Sequence, residues 1–313
     1  MITCILCRDN RNTTFERMWC FFMYCCHNKI FSNFREIISM KYIFLIFSLV
    51  FFTMQAQTHR FIYEVHIKKD STSTERLKDN YIVDVNPDNV YYYNYSFYVA
   101  DSMQKLNSNE GFPVPRDLNL YMHPSKKDKY VHYEMMGFNI FKMEQTDKQD
   151  WKLHTENKTF QGYNLQKATA RWGGRNWTVW FAADIPFQEG PYKFHGLPGM
   201  IVEIEDDKGN FKFVLVKYNR IKDTQNLDIF NFMGGKAVPI TRDKYVKLKL
   251  DFYSDPLMEV NNGKLDLSKT QALVLEDGTM VTKDNLKEVT EKQRKIIKKY
   301  NNPIELDKAI RYE

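Results

Sequence analysis

The side chains that could do chemistry in this 313-residue chain are scattered, and their spacing decides little in favour of catalysis. His195 stands beside the turn sequence Gly196-Leu197-Pro198-Gly199, where an imidazole could act as a base. A histidine beside a turn more commonly serves as a hydrogen-bond partner. Met122, His123, His132, Met135, Met136 and Met143 combine thioethers with imidazoles, the ligand types that suit Cu(I). The competing role for those methionines is gap-filling in a core, for which an unbranched, polarisable side chain is well suited. Glu203 and Glu205 share one face of a strand pattern without defining a carboxylate pair of known geometry. No HExxH, GxSxG, GxGxxG, P-loop or EF-hand spacing is present. The residues therefore assign no catalytic site, metal site or cofactor.

Two constellations remain as binding candidates. Tyr91, Tyr93 and Tyr95 alternate along one strand face, and with Trp177 they could line a groove, because such rings offer apolar area with a polar tip. The second is the run Gly190-Pro191-Tyr192-Lys193-Phe194-His195-Gly196-Leu197-Pro198-Gly199-Met200. Pro191 and Pro198 fix φ and remove a donor, whereas Gly196 and Gly199 permit positive φ. That combination specifies a tight turn, with Leu197 and Met200 as the apolar groups it carries inward. Its role is structural or that of a ligand-contacting loop.

Stepping outward to the elements that must hold these groups, the pattern is that of strands. Phe61, Tyr63, Val65 and Ile67 alternate with Arg60, Glu64, His66 and Lys68, with Ile62 as the exception. Further strands are expected over 81–85, 91–95, from Tyr130 onward, and over 151–154, 161–172, 176–183, 200–205 and 210–216. Gly173-Gly174 and Asp206-Asp207-Lys208-Gly209-Asn210 are hairpin signals. Trp172 and Trp177 should face each other across the first hairpin. Residues 100–106 suit a short helix and 107–128 a long surface loop. Helical period appears late: Thr241 can cap a helix with Tyr245, Leu248 and Phe252 on one face, and Thr290-x-x-Gln293 fits a capping box. The expected fold is mostly β, a β-rich α+β arrangement in which a curved antiparallel sheet or half-barrel has late helices packed against it.

The amino end suggests export. Met40-Lys41, an apolar run from Ile43 to Met54, and Ala56 come in the order of a secretory signal peptide. The run is too short to span a bilayer, which takes about 20 residues. Residues 40–56 are read as the leader, residues 1–39 as an extension ahead of a true start at Met40, and residues 57–313 as a single domain. All five cysteines lie within the first 26 residues, so the exported part has no thiolates, disulfides or acylation cysteine. The Cys4-Ile5-Leu6-Cys7 pair has zinc-like spacing but no second pair to complete it. The formal net charge of +6 falls to +3 once residues 1–56 are set aside, too little for a nucleic-acid footprint.

The ordered elements Gly162-Tyr163, Lys167-Ala168, Gly174-Arg175, Trp180-Phe181, Ile185-Pro186, Gly190-Pro191-Tyr192-Lys193-Phe194 and Gly196-Leu197-Pro198-Gly199-Met200-Ile201 resemble the GLPGLI family of exported Bacteroidetes-type proteins. Asn302-Pro303-Ile304-Glu305-Leu306 is similar as well. The chain departs at Met200, where the family name has Leu, and at Leu165, where members carry Cys. The resemblance implies an exported location and a β-rich fold, and brings no reaction or catalytic residues with it. The expectation is a non-catalytic binding or structural component of the periplasm or cell envelope, with no transmembrane segment after leader cleavage. Its partners would be an apolar ligand, a lipid or an envelope protein. The rival is an envelope hydrolase or copper-binding protein, which would need histidines and carboxylates converging in a pocket.

Overall fold

The structure is a computed structural model, and it describes residues 57–106, 120–124, 129–136, 139–222, 237–268, 273–275 and 278–313. The expected leader at 40–56, the segment 1–39 and its cysteines lie outside the described residues.

Twelve strands form one open mixed sheet. In chain order they are β1 (Thr58–Ile67), β2 (Leu77–Val85), β3 (Asn89–Asn94), β4 (Leu120–Pro124), β5 (Lys129–Met136), β6 (Asn139–Thr146), β7 (Lys152–Phe160), β8 (Tyr163–Trp172), β9 (Arg175–Ala182), β10 (Met200–Asp206), β11 (Phe211–Ile221) and β12 (Val238–Pro239). Their spatial order is β12-β6-β5-β4-β3-β2-β1-β11-β10-β9-β8-β7. The neighbours pair antiparallel, except that β12 runs parallel to β6, which makes the sheet mixed where an antiparallel one was expected. β13 (Leu273–Val274) and β14 (Met280–Val281) form a separate ribbon. The helices are α1 (Tyr95–Leu106), α2 (Arg242–Ser254), α3 (Met258–Asn261) and α4 (Leu286–Lys299). Among the described residues, no helix is long and apolar enough to cross a membrane.

The alternation in β1 places its two faces in two different cores. Phe61, Tyr63 and Val65 belong to the large cluster, which also takes in Leu165, Trp172, Trp177, Phe181, Phe194, Leu197, Met200 and Phe213. Ile62, the exception in the pattern, packs on the opposite face with Ile82, Tyr93, Phe97, Tyr133 and Ile140. The polar side of β1 is not solvated throughout: Arg60 is buried, donating from Nε and Nη2 to both carboxylate oxygens of Asp84 at 2.8 and 2.7 Å. A fully paired bidentate contact of this kind offsets the desolvation that burial imposes on each charge.

Gly173 and Gly174 take φ 60° and 74° at the tip of the β8–β9 hairpin, as the dipeptide indicated. Trp172 and Trp177 are not directly opposed, however. Trp172 pairs with Arg175 and Trp177 with Ala170, so the two indoles meet through Phe194, whose ring lies 5.1 Å and 4.7 Å from theirs. Three further expectations need correction. Tyr95 opens α1, because β3 ends at Asn94, whose side chain accepts from the Ser96 backbone N–H and turns the chain into the helix. The segment expected to be loop contains β4, paired with β3 and β5. Thr290 lies inside α4, which begins at Leu286 after Asn285. Thr241 does cap α2, accepting from the Lys244 N–H.

Candidate functional site

The segment between β9 and β10, residues 183–199, lies across one sheet face and carries the Gly-Pro run. Phe194, Leu197 and Met200 are at most 1% exposed, within the large core. Gly190 and Pro191 are also buried, whereas Gly196 and Pro198 lie at the surface. Gly196 and Gly199 have different reasons to be glycine. Gly196 sits at φ 86° in open space, donating its N–H to the Gln188 carbonyl at 2.8 Å. A Cβ on Gly199 would lie 2.2 Å from the Ala182 carbonyl oxygen, so close backbone approach excludes a side chain there. Tyr192 also takes a positive φ, 60°, which is uncommon for a bulky residue and marks a position held by its surroundings.

Those surroundings are an ionic cluster. The Tyr192 hydroxyl donates to Glu305 Oε1 at 2.6 Å and receives from the Tyr121 hydroxyl at 3.3 Å. Lys193, 2% exposed, donates from Nζ to the same Glu305 oxygen at 2.6 Å and to Gln145 Oε1 at 2.7 Å. Lys308 pairs with Glu305 and reaches Asp147 Oδ2 at 3.2 Å. Burial alone would raise the Glu305 carboxyl, but Lys193, Lys308 and Tyr192 outweigh it and bring it down to about 2. Burial pulls the Lys193 ammonium down more than Glu305 pulls it up. The carboxyl-terminal stretch that supplies Glu305 is fastened separately. Arg175 donates to the Ile304 and Pro303 carbonyls at 2.9 and 2.7 Å, to Asn302 Oδ1 at 2.6 Å and to Asp206 at 3.0 Å.

Between this stretch, the sheet and α2 lies a cavity of about 910 Å³. Tyr81, Tyr92, Tyr121, Tyr192, Tyr245, Tyr300 and Tyr312 line it, together with Ile67, Phe211, Phe213, Pro303, Ile304 and Ile310. His132 lies on its wall, stacked on Tyr121 with ring centres 4.4 Å apart. His132 is 7% exposed, and among the described residues its buried Nε2 has no hydrogen-bond partner, Glu134 Oε2 standing 3.9 Å away. Burial lowers this imidazole to about 4, against the opposing pull of Glu134, so it is neutral at pH 7. Burial would raise the Glu134 carboxyl, but the Lys249 charge and hydrogen bonds from Lys249 and Tyr245 outweigh it and hold it below the usual carboxylate range.

Residues 173–203 match the model of a family described as "Protein of unknown function (Porph_ging)". That match agrees with a Bacteroidetes-type family, under a different name from the one the Gly-Pro motif suggested. Two crystal forms of PNGF-II are structurally similar. The C2 form is 19% identical with a TM-score of 0.46, and the P21 form 18% identical with a TM-score of 0.45. Each comparison covers 61% of this chain and 32% of the other, so the chain spans about a third of the length of those structures. Likeness at that level carries no argument about activity. No curated protein matches the chain.

The tyrosines singled out from the alternation do not share a surface. Tyr93 is buried in the second core, where its hydroxyl donates to Asp84 at 2.7 Å. Tyr91 is half-buried beside it, Tyr95 is exposed on α1, and Trp177 is inside the large core on the other face. The cavity instead uses the alternate residues of β3, Tyr92 and Asn94. Its other walls come from β4, α2 and the last dozen residues, contacts too remote in sequence for local pattern to signal.

Of the histidines, His123 and His195 are neighbours, ring centres 5.9 Å apart, and they gather away from the cavity. His123 Nε2 lies 3.1 Å from Glu189 Oε2, and His195 Nδ1 meets the Tyr130 hydroxyl, which also donates to the Lys193 carbonyl at 2.9 Å. None of these four groups lines the cavity of about 910 Å³. They fasten the 183–199 segment to β4 and β5. Met143 is 2% exposed, and Met122 and Met135 pack against the second core, as gap-fillers do. Among the described residues, no group of three or more His, Cys, Asp or Glu side chains could hold a metal ion.

Proposed function

We propose that this protein is an exported, non-catalytic binding protein of the periplasm or cell envelope, of the GLPGLI type, and that the tyrosine-walled cavity holds its ligand. The observation that carries the reading is the cavity itself: about 910 Å³, walled by seven tyrosines, with one buried nitrogen on its wall that no group among the described residues satisfies. That volume is in the range of small-molecule sites, and a mixed apolar and polar lining is what such sites use. In this reading the sheet bends as a half-barrel around the 183–199 segment. Support comes from Tyr130 on β5 and Trp177 on β9, which touch the adjacent residues Lys193 and Phe194 although the two strands lie seven places apart in the sheet order.

The rival reading as a hydrolase or copper protein would need histidines and carboxylates converging on a pocket. The His123, Glu189, His195 and Tyr130 group converges away from the cavity, which favours the binder.

A neutral apolar dye, N-phenyl-1-naphthylamine, titrated into protein produced from the full sequence tests the binding assignment. It should saturate at one dye per chain, and Ala309→Trp, which adds bulk at the cavity wall, should weaken binding at least about 10-fold without lowering the melting temperature. Dye binding unaffected by Ala309→Trp, or no binding at all, would overturn it. Export is tested by amino-terminal sequencing of protein from the envelope fraction. The chain should begin at Gln57 or within a residue or two, and a product retaining Cys20 or Cys25 would refute the leader assignment.

A further inference from the structure

The charge balance of the cavity and its one unsatisfied nitrogen point to the chemistry of the ligand. Six cationic side chains line the cavity against three carboxylates, Asp79, Glu134 and Glu305. The carboxylates are already engaged. Glu134 is paired with Lys249, Glu305 with Lys193 and Lys308, and Asp79 accepts from Asn94 Nδ2 at 2.6 Å. Arg242, Lys298 and Arg311 have no carboxylate partner among the described residues. Arg242 uses one Nη2 bond on the Lys308 carbonyl and stands over the Tyr245 ring at 5.1 Å, leaving further guanidinium donors uncommitted. The Tyr245 ring also lies 6.5 Å from His132, so a guanidinium without a carboxylate partner and an imidazole nitrogen without a hydrogen-bond partner among the described residues both neighbour one tyrosine, in one corner of the cavity. Away from that corner the lining turns apolar, with Ile67, Phe211, Phe213 and Ile304.

We infer that the cavity takes an anionic amphiphile, with a carboxylate or phosphate head held by Arg242 and His132 Nε2 and an apolar body lying along Phe211, Phe213 and Ile304. This deepens the reading of the protein as a binder and rests on it. The chemistry is complementary at each end. A guanidinium fork matches an oxyanion bidentately. An imidazole N–H kept neutral by burial donates to the same head without a charge to desolvate. The apolar body removes its area from water against rings and aliphatic side chains. A neutral ligand would leave Arg242 and the nearby surplus of positive charge unanswered, and a small inorganic anion would leave most of the cavity unfilled.

Calorimetric titration with dodecanoate, dodecyl phosphate and dodecanol, each below its micellar concentration, tests the assignment. One or both acids should bind at least about 10-fold tighter than the alcohol, and whichever is tighter identifies the head. Arg242→Gln should remove that advantage while leaving dodecanol affinity unchanged. His132→Phe keeps a ring stacked on Tyr121 and should weaken the acids about 5-fold, again with the alcohol unmoved. Arg242 is exposed at the start of α2, so its variant serves as the readout that does not depend on refolding a core position. If dodecanol binds as tightly as both acids, and Ala309→Trp still blocks it, the anionic head is refuted while the binding function stands. If neither the acids, the alcohol nor the neutral dye binds, both are refuted.

Discussion

A single methyl group added at Gly199 should cost far more than one added at Gly196, although both belong to the same four-residue turn. At Gly196 the new Cβ meets nothing within 4 Å, so the cost is the left-handed conformation alone. An L-residue pays about 1–2 kcal/mol there, partly offset by about 0.4–1 kcal/mol from the lower entropy of the unfolded chain. The net loss for Gly196→Ala is about 1 kcal/mol. At Gly199 the Cβ would stand 2.2 Å from Ala182 O, 2.6 Å from Ala182 C and 2.7 Å from Ala183 Cα. Two of these are backbone atoms of Ala182, the fully buried last residue of β9, which is paired with Met200. Relief requires the strands to part where β9 ends and β10 begins. Overpacking costs about 1–3 kcal/mol, and loss of the adjoining 3.2 Å bond from Met200 N–H to the Ile185 carbonyl adds about 1 kcal/mol. Gly199→Ala should therefore lose about 2–4 kcal/mol. With a urea slope near 3 kcal/mol/M, suited to a chain of this size, the midpoints should fall by about 0.3 M for Gly196→Ala and about 0.7–1.3 M for Gly199→Ala. Equal midpoints, or the reverse order, would refute the distinction drawn between conformation and close approach. Unchanged midpoints with lost ligand binding would make the turn a ligand loop instead.

Other perturbations test the supports of the site. Met200→Leu, at a fully buried position but nearly conserving volume, should cost less than about 1.5 kcal/mol in the same denaturation assay. Glu305→Gln strands the Lys193 ammonium in a buried site and should cost about 3 kcal/mol by urea denaturation. The Glu305 carboxyl is held at about 2, below its ordinary 4.5, so its contribution is present above pH 4.5 and is lost as pH falls toward 2. The wild-type protein should lose more stability across that window than Glu305→Gln, and identical pH profiles would contradict the assignment. Arg175→Lys cannot reproduce the fan of bonds to Asn302, Pro303 and Ile304, so limited proteolysis should release the carboxyl-terminal stretch faster than from wild type.

Much of the sheet was legible because its signals are local. Alternation in Phe61-x-Tyr63-x-Val65 and the Gly173-Gly174 tip both act within a few residues, and β1 and the β8–β9 hairpin follow them. What alternation could not decide is which face binds. Where both faces of a strand are covered, period 2 separates Tyr92 from Tyr93 without saying which lines a cavity and which joins a core. The Thr290 capping pattern failed for a related reason. The helix already begins at Leu286, and the buried Val289 within that first turn joins the third core cluster with Leu257 and Val281. Tertiary burial set the boundary there. The cavity itself was invisible to local reading because its walls come from strands, helices and a carboxyl-terminal stretch brought together by long-range contacts.

That stretch also sets an order of events for the folding chain. The carboxylate that neutralises Lys193 is 112 residues downstream, and the amide oxygen that meets Arg175 is 127 residues downstream. Until residues 302–308 have been synthesised, the large core must enclose an ammonium without its carboxylate, which low-dielectric surroundings oppose. Closure of the loops involved is entropically slow to arrive and is rewarded only at the end. The chain therefore cannot commit to its native core from the amino end onward; residues 302–308 allow the earlier strands to close, and a nascent chain remains loosely folded until they have been made.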